Sequence, residues 1–483
     1  MDHTAHVSMH PDRRWLALIV LCLGVLMIVL DTTIVNVALP SIKVDLKFGD
    51  TELAWVVNAY MLTYGGFLLL GGRLGDLYGH RRLFLIGIAV FTLASLACGL
   101  SMTQIALVVA RAIQGLGGAV VTAVALSLIM DLFTDPQDRA KAMGVYGFVC
   151  AGGGSIGAML GGVLTSSLSW HWVFLVNLPI GIGVIIASLR LLPAGTGAWT
   201  SRHLDVWGAV TVTAALMLAV YAIVNGNEAG WLSSRTLSQL AIAAIVLIVF
   251  FWVEARVHMP LMPLRLFRLR NLVVSNIVGV LWAAAMFAWF FLSALYMQLV
   301  LGYGPMEVGL AFLPANVIMA LFSLGLSAKL VMRFGIRRPL VGGLVFAACG
   351  LLLFAHAPEN GHFMRDILPS MILLGVGAGV AFNPVLLAAM SEVGPSESGL
   401  ASGVVNTAFM MGGSLGLAAL ASLASWRTQT LLAAGAGQGV ALTGGYQWAF
   451  LVGACFAALG ALLGAVLLRT ARAPAGEQAV SAH

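Results

Sequence analysis

Gly71-Gly72-Arg73-Leu74-Gly75-Asp76-Leu77-Tyr78-Gly79-His80-Arg81-Arg82 decides how this chain is read. Apolar runs of membrane-spanning length lie on both sides, so the stretch reads as a short polar hinge carrying three arginines and one aspartate. A weaker copy follows far downstream: Arg73, Leu74, Tyr78-Gly79 and Arg81-Arg82 are echoed, at one constant offset, by Lys329, Leu330, Phe334-Gly335 and Arg337-Arg338. A second correspondence, again at a single offset, matches Pro136, Asp138, Ala142, Gly144-Val145, Gly153-Gly154-Ser155 and Gly157 with Pro395, Glu397, Ala401, Gly403-Val404, Gly412-Gly413-Ser414 and Gly416. Two related halves in the same orientation are therefore expected.

Composition sets the class. With 60% hydrophobic and 9% charged residues over 483 positions, and a mean hydropathy of +0.99, the chain departs from soluble domains, in which about a quarter of residues are charged. Crossing the hydrocarbon core takes about 20 apolar residues, and the sequence offers fourteen such runs. The expected fold is all-α and polytopic, six plus two plus six helices. Residues 1–14 form a tail, 15–192 a first six-helix bundle, 193–271 a two-helix insert with its flanks, 272–470 a second bundle and 471–483 a second tail. The glycine- and alanine-rich stretch 431–445 reads as a connection outside the membrane. The insert carries no motif, and both a tether and a lipid-facing brace remain open for it.

Lysine and arginine collect on the cytoplasmic side of membrane proteins. Placing both termini inside puts Arg13, Arg14, Arg73, Arg81, Arg82, Arg265, Arg268, Arg270, Lys329, Arg333, Arg337 and Arg338 there, and only a minority of the cations outside. No cleavable leader is read at the start, because the run from Trp15 is too long and lacks a small-residue cleavage site. His3, His6 and His10 read as part of a solvated tail. The five cysteines stand singly in apolar runs with no metal-type spacing, so no metal is expected, and they read as small buried residues.

Two intramembrane charges draw attention. Asp31 stands about 24 Å along the first span, at a depth where a carboxylate is costly unless paired or hydrated. It reads as a proton and cation site, with a helix-packing acid as the alternative. Arg111 stands about 10 Å into the fourth span from its outer end, so the two fall in the same half of the membrane and are expected to meet, directly or through water. Gln114 lies on the same helical side as Arg111. Along the fifth span, Gly153, Gly157 and Gly161 recur every fourth residue beside a second row of Gly154, Ala158 and Gly162. Such rows let helices approach backbone to backbone.

Gly72-Arg73-Leu74-Gly75-Asp76 followed by Gly79-His80-Arg81-Arg82 is similar to the loop signature between the second and third helices of major facilitator superfamily transporters. Leu30-Asp31-Thr32-Thr33-Ile34-Val35-Asn36-Val37-Ala38-Leu39-Pro40, Arg111 with Gln114-Gly115, and Trp170-His171-Trp172-Val173-Phe174 with Asn177 and Pro179 resemble motifs of its 14-span drug:proton antiporter branch. The resemblance covers residues 15 to 470, with two departures. His171 replaces a usual arginine, and Ala158 replaces the proline that usually follows the middle glycine of the fifth-helix antiporter motif, which puts antiport by that route in question.

The resemblance implies proton-coupled efflux of lipophilic monocationic or neutral compounds by alternating access, with Asp31 and Arg111 as the proton-coupling pair. It also implies a cytoplasmic gate built on Gly72, Arg73, Asp76, Gly79, Arg81 and Arg82, in which Arg81 pairs with Asp131. Candidate substrate contacts are Asn58, Gln114, Trp282, Met286, Trp289, Tyr296, Asn316, Asn383 and Asn406, the ninth span offering an aromatic and methionine stripe suited to varied lipophilic cargo. The chain shows no phosphate-binding glycine loop followed by lysine and Ser/Thr. No enzymatic activity, cofactor or nucleic-acid partner is therefore expected; protons, small lipophilic substrates and membrane lipids are, in a monomer of the bacterial-type inner membrane. Export of a lipid or of an endogenous natural product is the alternative, and import by proton symport a more distant one.

Overall fold

A computed structural model describes residues 11–49, 51–133, 135–192, 206–257, 264–322, 326–393 and 398–469. Within them every expected crossing coincides with helix. The first bundle comprises α1 (Pro11–Leu46), α2 (Trp55–Tyr78), α3 (His80–Gly99), α4 (Gln104–Leu132), α5 (Pro136–Ser167) and, after a short turn, α6 (Asn177–Leu191). The insert is α7 (Val206–Ala229) and α8 (Ser234–Glu254). The second bundle comprises α9 (Arg270–Leu295), the paired segments α10 (Pro305–Leu321) and α11 (Ser327–Phe334), then α12 (Arg337–Phe354), α13 (Leu368–Met390), α14 (Ser398–Ala433) and α15 (Gln438–Leu467). Among the described residues, 10 helices are long and apolar enough to cross a membrane, and no strand occurs.

The internal repeat is visible as repeated packing. In the first bundle α1 packs on α5 and α6, α3 on α4 and α6, and α2 on α4. In the second α9 packs on α14 and α15, α12 on α13 and α15, and α10 on α13. The two halves then meet along two matched seams, α5 with α10 and α2 with α14. Glycines recurring in the sequence recur in space: a Cβ on Gly153 would stand 2.8 Å from Val29 of α1, and one on Gly412 would stand 2.7 Å from Val280 of α9.

The duplicated hinge has a backbone cause. Gly79 ends α2 at φ 91° and Gly335 ends α11 at φ 76°, a region that side chains penalise. Each amide closes its helix, Gly79 on the Gly75 carbonyl at 2.9 Å and Gly335 on that of Val331 at 2.8 Å.

The stretch 431–445 departs from expectation. Helix α14 runs to Ala433 and α15 begins at Gln438, leaving a tight turn around Gly435 at φ 85°. A Cβ on Gly445 would lie 2.1 Å from Thr428 Oγ1 and 2.5 Å from the Ala424 carbonyl. These glycines serve close helix approach, so their abundance does not mark a loop.

Helix α7 packs against α2 and α14, along one of the two seams between halves, and α8 packs against α7. Leu62, Val220, Val224 and Ala418 form a shared apolar cluster there. Ser422 donates to the Ile223 carbonyl at 3.1 Å.

Candidate functional site

Asp31 is fully buried and Arg111 is 1% exposed, and the two form an ion pair through Arg111 Nη1 and Asp31 Oδ2. A lone carboxylate here would be costly, and the surrounding helices supply its remaining partners. Gln114 Nε2 donates to Asp31 Oδ1 at 2.7 Å, and Asn177 Nδ2 reaches the same oxygen at 3.1 Å. Arg111 Nη1 donates to Gln114 Oε1 at 2.7 Å, and its Nε donates to the Val56 carbonyl at 2.9 Å. The Ser95 hydroxyl accepts from Gln114 Nε2 at 2.6 Å and from Asn177 Nδ2 at 3.1 Å. Tyr60 lays its ring 4.4 Å from the guanidinium carbon, a cation–π contact in a dry site.

Five helices thus converge on one carboxylate. Arg111 and Gln114, three residues apart, share one face of α4. The approach of α2 to α4 depends on Gly115, where a Cβ would stand 2.2 Å from Thr63 Oγ1 and 2.4 Å from the Tyr60 carbonyl. The expected meeting of Asp31 and Arg111 is therefore present, and Gln114, expected as a substrate contact on the same side of α4, instead bonds to both. Ser95 and the oxygen-binding role of Asn177 were missed: a serine in an apolar helix gives no signal in sequence, while Asn177 was visible only as part of a loop motif.

The glycine rows of α5 face two ways. A Cβ on Gly157 would stand 2.0 Å from Thr33 Oγ1, and one on Gly161 would stand 2.6 Å from the Ile34 carbonyl, both on α1. Gly162 turns instead to the other half, 2.8 Å in the same sense from the Pro305 carbonyl. Ala158, where the related motif carries proline, sets its carbonyl 2.7 Å from the Cβ position of Gly309 on α10. Together with Gln298, which donates to the Val37 carbonyl at 3.0 Å, these contacts close the halves together at the end of the bundle opposite the chain termini.

At the terminal end the expected Arg81–Asp131 pair does not form. His80 Nδ1 stands 3.0 Å from Asp131 Oδ2, while Arg81 Nη2 donates to the Leu189 carbonyl at 2.7 Å. The turn at Gly79 makes His80 the first residue of α3 and lays it against α2, its Cδ2 2.8 Å from the Cβ position of Gly75. One residue further is about 100° around the helix, which carries Arg81 away to α6. Gly72 lies against Ala123 of α4 and Arg82 is exposed. The side chains of Arg73 and Asp76 lie outside the described residues, as do Pro395 and Glu397 of the repeat.

The substrate candidates divide. Trp282, with Phe382 and Val385 of α13 and Val405, Asn406 and Phe409 of α14, lines a small apolar cleft within the second half. Asn58 accepts from Ser414 across the seam at 3.0 Å. Trp289 packs edge-on against Phe312 at 6.3 Å, one turn from the buried Asn316. Met286 is partly buried beside them, and Asn383 is half-buried on α13. Tyr296 is tied up in structure, donating to the Pro358 carbonyl at 2.6 Å. Gln114 belongs to the Asp31 network. No cluster of metal-ligating side chains occurs among the described residues.

A family model of the Major Facilitator Superfamily matches residues 21–417, and the chain belongs to that family of multi-pass membrane transporters. It is 38% identical to the puromycin resistance protein pur8 of Streptomyces alboniger, over 95% of this chain and 91% of that one. The cephamycin export protein CmcT of Amycolatopsis lactamdurans is 38% identical over 84% of each chain, and the multidrug resistance protein Stp of Mycobacterium tuberculosis is 35% identical over 86% of this chain and 77% of its own. An auto-inhibited peptide transporter of the POT family superposes with a TM-score of 0.67 at 17% identity, covering 97% of this chain and 99% of that one. That likeness concerns the fold alone.

Proposed function

We propose that this chain is a proton-coupled exporter of small lipophilic compounds, working by alternating access with Asp31 as the proton-coupling acid and Arg111 as its counter-charge. The observation that carries this reading is the position of Asp31: a carboxylate buried among membrane-spanning helices, ion-paired to an equally buried arginine and supplied with two amide donors. A proton arriving on Asp31 neutralises its carboxylate, leaves the Arg111 charge uncompensated and weakens the hold between them, which changes how tightly α1 and α4 are joined. A two-state transporter needs its ligand to bias one arrangement over the other in this way. Relatives described as resistance and export proteins for antibiotics support the direction and the class of cargo.

Charge distribution favours a bacterial-type cytoplasmic membrane with residues 1–14, 193–205 and 471–483 on the cytoplasmic side. In that orientation Gly162 and Pro305 close the external face, and the hinge Gly72–Arg82, with Asp131, serves as the cytoplasmic gate. We take the working unit to be one chain surrounded by lipid.

The test is gradient-driven efflux of ethidium from proteoliposomes with an imposed pH difference, comparing the unaltered protein with Asp31→Asn. Gradient-driven efflux at least tenfold slower in the variant is expected. Equal rates in both would place proton coupling elsewhere.

A further inference from the structure

Helix α6 lies at the edge of the first bundle, packed on α1 and α3, with Ile182, Ile186 and Leu189 turned outward. Polar bonds hold it at both ends. At the outer end Asn177 Nδ2 donates to Asp31 Oδ1 on α1 and to Ser95 Oγ on α3, both at 3.1 Å. At the inner end the Leu189 carbonyl accepts from Arg81 Nη2 at 2.7 Å. That carbonyl belongs to the last turn, and the residue four places on is Pro193, which has no N–H to offer it. A cation at a helix C-terminus is favourable besides. Between the two ends, about 18 Å apart, Gly181 seats the helix on α3, where a Cβ would stand 2.0 Å from Thr92 Oγ1.

The two amides on Asp31 Oδ1 are not equivalent. Gln114 is locked, because its Oε1 accepts from Arg111 Nη1 at 2.7 Å and lies 3.7 Å from Cys98 Sγ. An ionised carboxylate only accepts, whereas a protonated one has an O–H to donate. Asn177 is therefore the amide that gives way when Asp31 takes a proton. Resting on the exporter reading, we propose that Asn177 is a positioning residue that passes the loss of charge on Asp31 to α6, which works as a lever on Arg81 and the cytoplasmic hinge.

While Asp31 is charged, one NH2 group ties the outer end of α6 to both α1 and α3, and the inner end keeps its carbonyl on Arg81. Neutralising Asp31 turns the amide, so both outer bonds break together. The helix then tilts about Gly181. The arm from Gly181 to Leu189 is about twice the arm from Asn177 to Gly181, so a displacement at the proton site is doubled where Arg81 is held. Arg81 stands two residues after Gly79, whose amide and carbonyl close α2 on Gly75 and begin α3 with Leu83. A proton taken from outside thus favours opening at the cytoplasmic end, the order that exchange of an inward proton for outward cargo requires.

The test is hydrogen–deuterium exchange of the hinge amides 79–84 in the full chain in lipid nanodiscs. Asp31→Asn stands for the neutral carboxyl, and all samples share one pH, which keeps the charges of His80 and Asp131 fixed. Exchange at the hinge is expected to be about fivefold faster in Asp31→Asn than in the unaltered protein, the worth of one hydrogen bond. In an Asn177→Leu background the hinge is expected to exchange fast already, with no further response to Asp31→Asn. Arg81→Gln should abolish the response in the same way, and it decides the matter should Asn177→Leu fail to fold. An unchanged hinge in Asp31→Asn, or a response that persists in either background, would overturn the lever. Ethidium efflux is followed in parallel: its loss in Asp31→Asn with an unchanged hinge refutes the lever alone, whereas undiminished efflux removes the coupling role of Asp31 itself.

Discussion

At the residue scale the account turns on Asp31 and the groups that surround it. Arg111→Ala would leave a buried carboxylate without its counter-charge, a change that costs about 3–5 kcal/mol. Thermal unfolding in detergent should show a large fall in midpoint. Arg111→Lys keeps the charge, but one ammonium cannot reproduce donation by Nε to Val56 and by Nη1 to both Asp31 and Gln114. Its stability should lie between the two, with gradient-driven efflux reduced at least tenfold; transport equal to that of the unaltered protein would argue against a shaped site. The Asp31–Arg111 meeting was legible because a charge within a membrane helix must find a partner, and depth along each helix restricts the choice. Ser95 was not, since a hydroxyl costs little there and leaves no trace in the pattern. Nor was His80 in place of Arg81, because a single residue of phase around α3 decides which side chain faces Asp131.

At the element scale, glycines determine how closely the helices approach. Gly157 of α5 and Gly416 of α14 occupy matched positions in the repeat, and a Cβ at Gly416 would stand 2.1 Å from that of Ala284. Substituting either with valine forces α5 from α1, or α14 from α9, at a cost of about 1–3 kcal/mol or more. Both variants should unfold at lower temperature and do so comparably; a strong effect from one and none from the other would contradict the equivalence of the halves. The sequence disclosed this equivalence because the same residues recur at one spacing. It did not disclose that the two rows of α5 face different partners, one toward α1 and the other toward α10, because periodicity names a face without naming its neighbour. The same limit applied to 431–445, where glycines at a helix contact resembled those of a loop.

At the scale of the whole molecule, two halves with matching packing meet along two seams and are held together at the end away from the termini. Alternating access requires that this closure open. The Cβ position of Gly162 lies 2.9 Å from Met306 Cα, too close for a side chain, so Gly162→Val should wedge this end of the seam open. Efflux should fall sharply in a variant that still folds; undiminished efflux would mean that closure here is not part of the transport cycle. The all-helical, many-crossing character of the chain and its duplication were readable from hydropathy and repeats. The position of the insert beside α2 and α14 was not, since α7 and α8 carry no motif and their contacts are made by ordinary apolar side chains.

The most direct test of proton coupling through Asp31 reverses the usual driving force. Liposomes holding the protein and a pH-sensitive dye are given a substrate gradient with equal pH on both sides, and internal pH is followed. The account predicts that substrate flow drives proton movement in the opposite direction with the unaltered protein, and that Asp31→Asn still exchanges substrate for substrate without moving protons. Proton movement of equal size in the variant would contradict it.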